Sequence, residues 1–231
     1  MIVSQHWQES NYIIMALPSN NLNNIRDLIG LHPHSENLST YIDKLAAVVS
    51  TPNATISEVK AYPDAVYLNY FALGLSLLFI PLSGYTPATG IKYTQLNDNK
   101  LVLDSINLYN IPPHSTKQPS PRPFETAFST YPCLPFELVI TPDKNSNSLT
   151  RPPNIEIKQQ STGKDFVCSL GEPDRKGGGA GPLSGSIGIW CEWSQHGVMV
   201  EFGGDEARGP QAWERGKDAV WKVITLFSVN K

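Results

Sequence analysis

Tyr67-Leu68-Asn69-Tyr70-Phe71-Ala72-Leu73-Gly74-Leu75-Ser76-Leu77-Leu78-Phe79 is the stretch that decides the fold. It reads as a hairpin, with Ala65 to Leu68 and Leu73 to Phe79 as apolar strands and Asn69 to Ala72 as the turn between them. Four of its residues return at steps of three, four and five: Tyr67, Tyr70, Gly74 and Phe79 recur as Trp190, Trp193, Gly197 and Phe202. A second hairpin then runs through Ile187 to Trp193 and Val198 to Phe202, with Gln195-His196-Gly197 at its turn.

The surroundings of the two hairpins match as well. Upstream, Thr40-Tyr41-Ile42-Asp43 and Thr162-Gly163-Lys164-Asp165 both read as capping boxes, in which hydroxyl and carboxylate satisfy the orphan amides of a helix start. Each opens a short helical run that stops before a proline, Pro52 or Pro173. Thr40 to Ser50 places Ile42, Leu45, Val48 and Val49 on one face, and Leu22 to Gly30 reads as a shorter helix ended by glycine. Downstream, Lys100 to Tyr109 is a third strand. Its end, Ser105 to Asn110, alternates as Val223 to Ser228 does within the closing stretch Ala219 to Ser228.

These patterns predict an α+β protein of two tandem helix-plus-antiparallel-meander units, forming one extended sheet with helices on one face. The expected divisions are an N-terminal extension over 1–34, a first unit over 35–110, a proline-rich loop over 111–130 and a second unit over 131–231. Within the last, Pro135 to Ile140 and Ile155 to Ile157 read as strands, and Pro142 to Pro153 as a polar connection.

Composition bounds the function. The chain has 231 residues, 40% hydrophobic and 17% charged, enough for one extended core or two small ones. A net charge of -3 gives no electrostatic reason to expect nucleic acid as a partner. No polybasic stretch is present to hold an anionic membrane, and the longest apolar run, Leu73 to Leu82, is too short and too interrupted to span a bilayer. The first residues lack the basic and apolar regions of a secretion signal. Cys133, Cys168 and Cys191 form no CxxC pair and suit a reducing compartment, so a cytoplasmic location is expected.

Catalytic and cofactor signatures are missing from the sequence. There is no GxSxG elbow and no Walker loop, and His32-Pro33-His34 has no acidic or cysteine partner at metal-ligand spacing. Cys191 and His196 invite a nucleophile reading, but Cys191 shares the apolar face of its strand with Ile189 and Trp193, where an inert thiol is the ordinary case. Neither an enzyme, a cofactor nor a metal is therefore expected. What remains are candidate interaction residues. Asp174-Arg175-Lys176 precede the run Gly177 to Gly181, which reads first as a long hairpin loop and second as an anion site beside two cations. Trp190 and Glu192 lie on the polar face of their strand, either as a binding anchor or under a second layer. Trp213 sits in a proline-started, glycine-ended helical turn, Gly209 to Gly216, expected to plug the sheet edge.

The segment Tyr67 to Phe79, with its preceding proline turn and following alternating strand, resembles the YFxNYFxLGxxxLF segment of the phagosome assembly factor family. Leu170-Gly171-Glu172-Pro173 is similar to the LGxP turn that precedes such strands in that family. The helix, turn and three-stranded pattern also resembles the repeated unit of the β-lactamase inhibitor protein and the small outer-membrane lipoprotein fold, whose members mostly bind other proteins. The first resemblance implies an autophagy adaptor, recruited to membranes with a WD-repeat partner. The expected function is thus a non-catalytic protein-interaction module; the alternatives are a small-ligand or lipid-headgroup binder, using the 174–181 loop and the Trp190 face, and an enzyme of unknown class.

Overall fold

The computed structural model describes residues 24–111, 127–140, 154–179 and 188–229. Eight strands make one antiparallel sheet: β1 (Glu58–Tyr62), β2 (Ala65–Tyr70), β3 (Leu75–Pro81), β4 (Leu101–Tyr109), β7 (Arg175–Gly177), β8 (Trp190–Trp193), β9 (Val198–Phe202) and β10 (Trp221–Phe227). Their order across the sheet is β1-β2-β3-β4-β10-β9-β8-β7. A separate two-stranded sheet pairs β5 (Phe136–Val139) with β6 (Asn154–Ile157).

Strand alternation decides which face is buried. Val66, Leu68 and Tyr70 on β2, Leu75, Leu77 and Phe79 on β3, and Val198, Val200 and Phe202 on β9 all lie in the core. Helix α1 (Glu36–Val49) adds Leu38, Tyr41, Ile42 and Leu45 to this continuous cluster, and α2 (Gly163–Leu170) adds Phe166 and Leu170. Phe166 meets Trp193 with ring centroids 6.2 Å apart and Phe202 at 6.0 Å, so α2 covers the apolar face of β8 and β9. No helix among the described residues is long and apolar enough to cross a membrane.

Several expectations are corrected. The first helix starts at Glu36 behind Ser35, so Thr40 and Asp43 lie within α1 and form no capping box. Its apolar stripe runs Leu38, Tyr41, Ile42, Leu45, and this spacing reaches one turn further back than the Thr40 signal. The second box holds: the Thr162 amide donates to Asp165 Oδ2 at 2.8 Å, and α2 follows. Of the stretch Leu22 to Gly30, Ile25–Leu28 is a 3-10 turn capped by the Asn24 side chain, with Gly30 at φ 91°. Leu22 and Asn23 lie outside the described residues.

Both hairpin turns are single 3-10 turns, Phe71–Leu73 and Ser194–His196, each closed by a left-handed glycine: Gly74 at φ 57°, ψ 36° and Gly197 at φ 58°, ψ 43°. Hence β2 runs on to Tyr70 and β3 begins only at Leu75. The sequence reading missed β1 and β7, the two edge strands; Arg175–Gly177 pairs with β8 where a loop was expected. The proline-rich run after Ile111, the 142–153 connection and Ala180 to Ile187 lie outside the described residues.

Candidate functional site

The face of the sheet turned away from the core carries a row of side chains in register across all eight strands: Glu58, Asn69, Ser76, Asn107, Thr225, Met199, Glu192 and Arg175. Polar residues inside a sheet need partners. Here they bond along the row: Ser76 Oγ donates to Asn69 Oδ1 at 2.7 Å, and Thr225 Oγ1 donates to Asn107 Oδ1 at 2.8 Å.

At the β7 end, the row meets the expected interaction residues. Arg175 lies 3.2 Å from Glu192 Oε2, and its guanidinium stands 6.0 Å from the centre of the Trp190 ring. The Trp190 indole crosses Gly177, where a Cβ would come 2.7 Å from it, so only glycine fits beneath the ring. Asp174 Oδ2 accepts from the Ser194 amide at 2.7 Å, and Ser194 Oγ donates to Glu192 Oε1 at 2.8 Å. Arg175 is 68% exposed, so the ion pair is a surface contact worth less than about 1 kcal/mol.

Lys176 points to the other side. Its register partner is the buried Cys191, and its ammonium stands 5.8 Å from the ring of Trp213, which is 43% exposed and sits on α3 (Ala212–Arg215). The six residues therefore gather at one sheet edge but divide between its faces: Arg175, Trp190 and Glu192 on the open face, Lys176 and Trp213 on the core side, Asp174 at the strand end. Trp190 is half-buried between Gly177 and Arg175, and Trp213 covers the edge only in part. Burial pushes the Cys191 thiol up to about 11, with Lys176 pulling down and Glu172 pushing up. A thiol so placed is a poor nucleophile.

The β1 to β4 end of the same face is a groove of about 570 Å³, floored by Asn69, Ser76 and Asn107 and walled by Tyr62, Tyr67 and Tyr109. The Tyr62 and Tyr67 rings meet edge to face at 6.0 Å. Tyr109 stacks at 3.8 Å on Phe128, which in turn contacts Phe71. Burial, then Tyr62 and Asp64, raise the ionisation of Tyr67, which keeps its hydroxyl a donor. Sequence reading passed over this groove. The available signal was the polar residue set between apolar ones on each strand: Asn69, Ser76 and Asn107.

Comparison with known proteins returns no similar family model, curated protein or solved structure.

Proposed function

We propose that the chain is a non-catalytic interaction module built from two copies of one α+β unit, and that it engages another protein through its β7 edge. The two-copy reading rests on the sheet order, in which β1-β2-β3-β4 is followed by β10-β9-β8-β7, and on details no fold requires of both halves. The register shifts at matching places: Leu78 and Phe79 pair with Ser105 and Leu103, leaving Asp104 extra, while Glu201 and Phe202 pair with Val223 and Trp221, leaving Lys222 extra. A bulge is a built feature of a sheet, so its recurrence at Asp104 and Lys222 speaks for common design.

The observation that carries the binding reading is Trp213, a large aromatic left 43% exposed beside Lys176, with the exposed Arg175 on the opposite face of the same strand, the last of the sheet among the described residues. Tryptophan and arginine at a sheet rim are the residues that dominate protein interfaces. An adaptor role in the cytoplasm is the form of this reading that the phagosome assembly factor resemblance favours, and three free cysteines suit that compartment. The test is affinity capture from the source cytosol with the wild-type chain and with a Trp213→Ser, Arg175→Glu variant of unchanged melting temperature. Partners held by the first and lost by the second support the module; an identical set of captured proteins overturns it.

A further inference from the structure

We infer that the groove over β1 to β4 is a binding site for an uncharged saccharide, distinct from the β7 edge. The groove contains an unmet donor. Asn69 is 1% exposed, its Oδ1 is taken by Ser76, and its Nδ2 has no hydrogen-bond partner. A buried amide N–H left unpaired destabilises the fold, and a ligand acceptor at the groove floor supplies the missing partner. Asn107 is engaged with Thr225 through its oxygen and not through its NH2 group.

The other half of the sheet indicates what kind of group belongs there. Trp190 stands where the first half has Tyr67, and Glu192 where it has Asn69. In that half, the space above them is filled from within: Arg175 lies over the Trp190 ring and bonds Glu192. In the first half, the register position of Arg175 holds Glu58, whose carboxylate is 3.6 Å from Lys60 instead, and Tyr67 and Asn69 line a groove. The missing occupant must therefore lie over an aromatic ring and meet an amide floor.

Charge selects among such occupants. The floor has amides and a hydroxyl where the other half has a carboxylate, and the charged residues that line the groove, Lys60 and Asp64, are one of each sign. No net charge invites a cation or an anion. A pyranose fits this chemistry: its C–H face packs on a tyrosine ring, and its hydroxyls both accept from carboxamide N–H groups and donate to oxygens. The volume lies within the range of roughly 300–1,000 Å³ usual for small-ligand sites and accommodates a disaccharide.

The experiment is saturation-transfer NMR and calorimetry of the full chain with maltose, cellobiose and N,N′-diacetylchitobiose. At least one of the three should bind with a dissociation constant near 1 mM or tighter, about -4 kcal/mol. On the wild-type chain, that sugar should move the side-chain amide resonances of Asn69 and Asn107. Tyr67→Ala should weaken binding by at least about tenfold and Tyr67→Phe should keep it, because the ring and not the hydroxyl stacks. Binding by none of the three, or resonance shifts confined to residues away from β2 to β4, overturns the proposal. Trp213→Ser and Arg175→Glu should leave sugar binding unchanged, so failure here and failure of the protein-binding reading are separate results.

Discussion

Replacing Gly74 by alanine should unfold the protein more readily than the same change at Gly84, and the difference measures how closely the chain packs at the first hairpin. Both glycines have positive φ, 57° and 70°, so both variants carry the left-handed penalty of about 1–2 kcal/mol. Around Gly84 a Cβ meets nothing within 4 Å. At Gly74 it falls against the Ser129 carbonyl oxygen, 2.6 Å from the Tyr131 nitrogen and 2.8 Å from the Thr130 carbonyl carbon, all of them backbone. To make room, 129–131 must move, and its two backbone bonds are the first to go: Ser129 N–H to Phe71 O and Tyr131 N–H to Tyr109 O, both at 2.8 Å. Losing them costs about 1 kcal/mol each, so Gly74→Ala totals about 3–4 kcal/mol and Gly84→Ala about 1–2. In a chain of this size 1 kcal/mol lowers Tm by about 2–4 °C, which separates the two variants by at least about 4 °C in a calorimetric scan. Equal melting temperatures would refute the reasoning, since they would mean that 129–131 does not press on the turn.

Other perturbations test other parts of the structure. Trp221→Phe keeps most of the buried ring but removes the Nε1–H that donates to Lys158 O at 2.8 Å, and chemical denaturation should show a loss of about 1–3 kcal/mol. Alkylation of the native protein at pH 8, followed by mass spectrometry, should mark the exposed Cys168 first; Cys191, buried and pushed up to about 11, is about one part in a thousand thiolate there and should react last. Burial raises the tyrosine ionisations of Tyr41, Tyr70 and Tyr131 above 10, so the folded state holds these protons more tightly than the unfolded chain. Their contribution to stability is complete below pH 10 and is lost as pH rises above it, by up to about 1.4 kcal/mol per unit for each group, and thermal melts between pH 8 and 11 should fall only in the upper part of that range.

The sequence declares some parts of this fold and conceals others, for physical reasons. The hairpins are legible because each strand must bury alternate side chains, and Leu75, Leu77, Phe79 and Val198, Val200, Phe202 do so without interruption. The second helix is legible because Thr162 and Asp165 make a real box. Thr40 and Asp43 mimic the same signal inside a helix, where packing of Leu38 and Tyr41 decides the start. Edge strands are hidden, because Glu58–Tyr62 and Arg175–Gly177 bury little and owe their form to pairing with β2 and β8. At the candidate sites, residue types were visible and neighbourhoods were not. Nothing in the order Asn69, Ser76, Asn107, Thr225 says that four strands bring them into one row, and nothing in Arg175-Lys176 says that pleating sends one cation to Trp190 and the next to Trp213.

Under the two-copy reading, the halves solve one shared problem differently, and this ties the start of the chain to its end. Beside each 3-10 hairpin turn, carbonyl groups take a partner from elsewhere in the chain. In the first half, the amides of Ser129 and Tyr131 meet Phe71 O and Tyr109 O, and Tyr131 also joins its hydroxyl to that of Tyr41 on α1 at 2.7 Å. In the second half, the backbone that lies against the glycine is Phe227 of β10 itself, whose N–H donates to Gly197 O at 3.0 Å. Arg26, from the 3-10 turn ahead of α1, extends its guanidinium to the carbonyl oxygens of His196 and Gly197, and burial lowers its pKa below the ordinary arginine value. A planar guanidinium holds its five donors in a fixed fork, so one side chain serves both carbonyls with little further ordering. Residues that open the described chain thereby close the hairpin of the second unit, while a segment that follows β4 closes the first. Each unit's turn thus depends on chain from outside that unit, which gives a physical reason for the two meanders to share one continuous sheet and not to stand as separable domains.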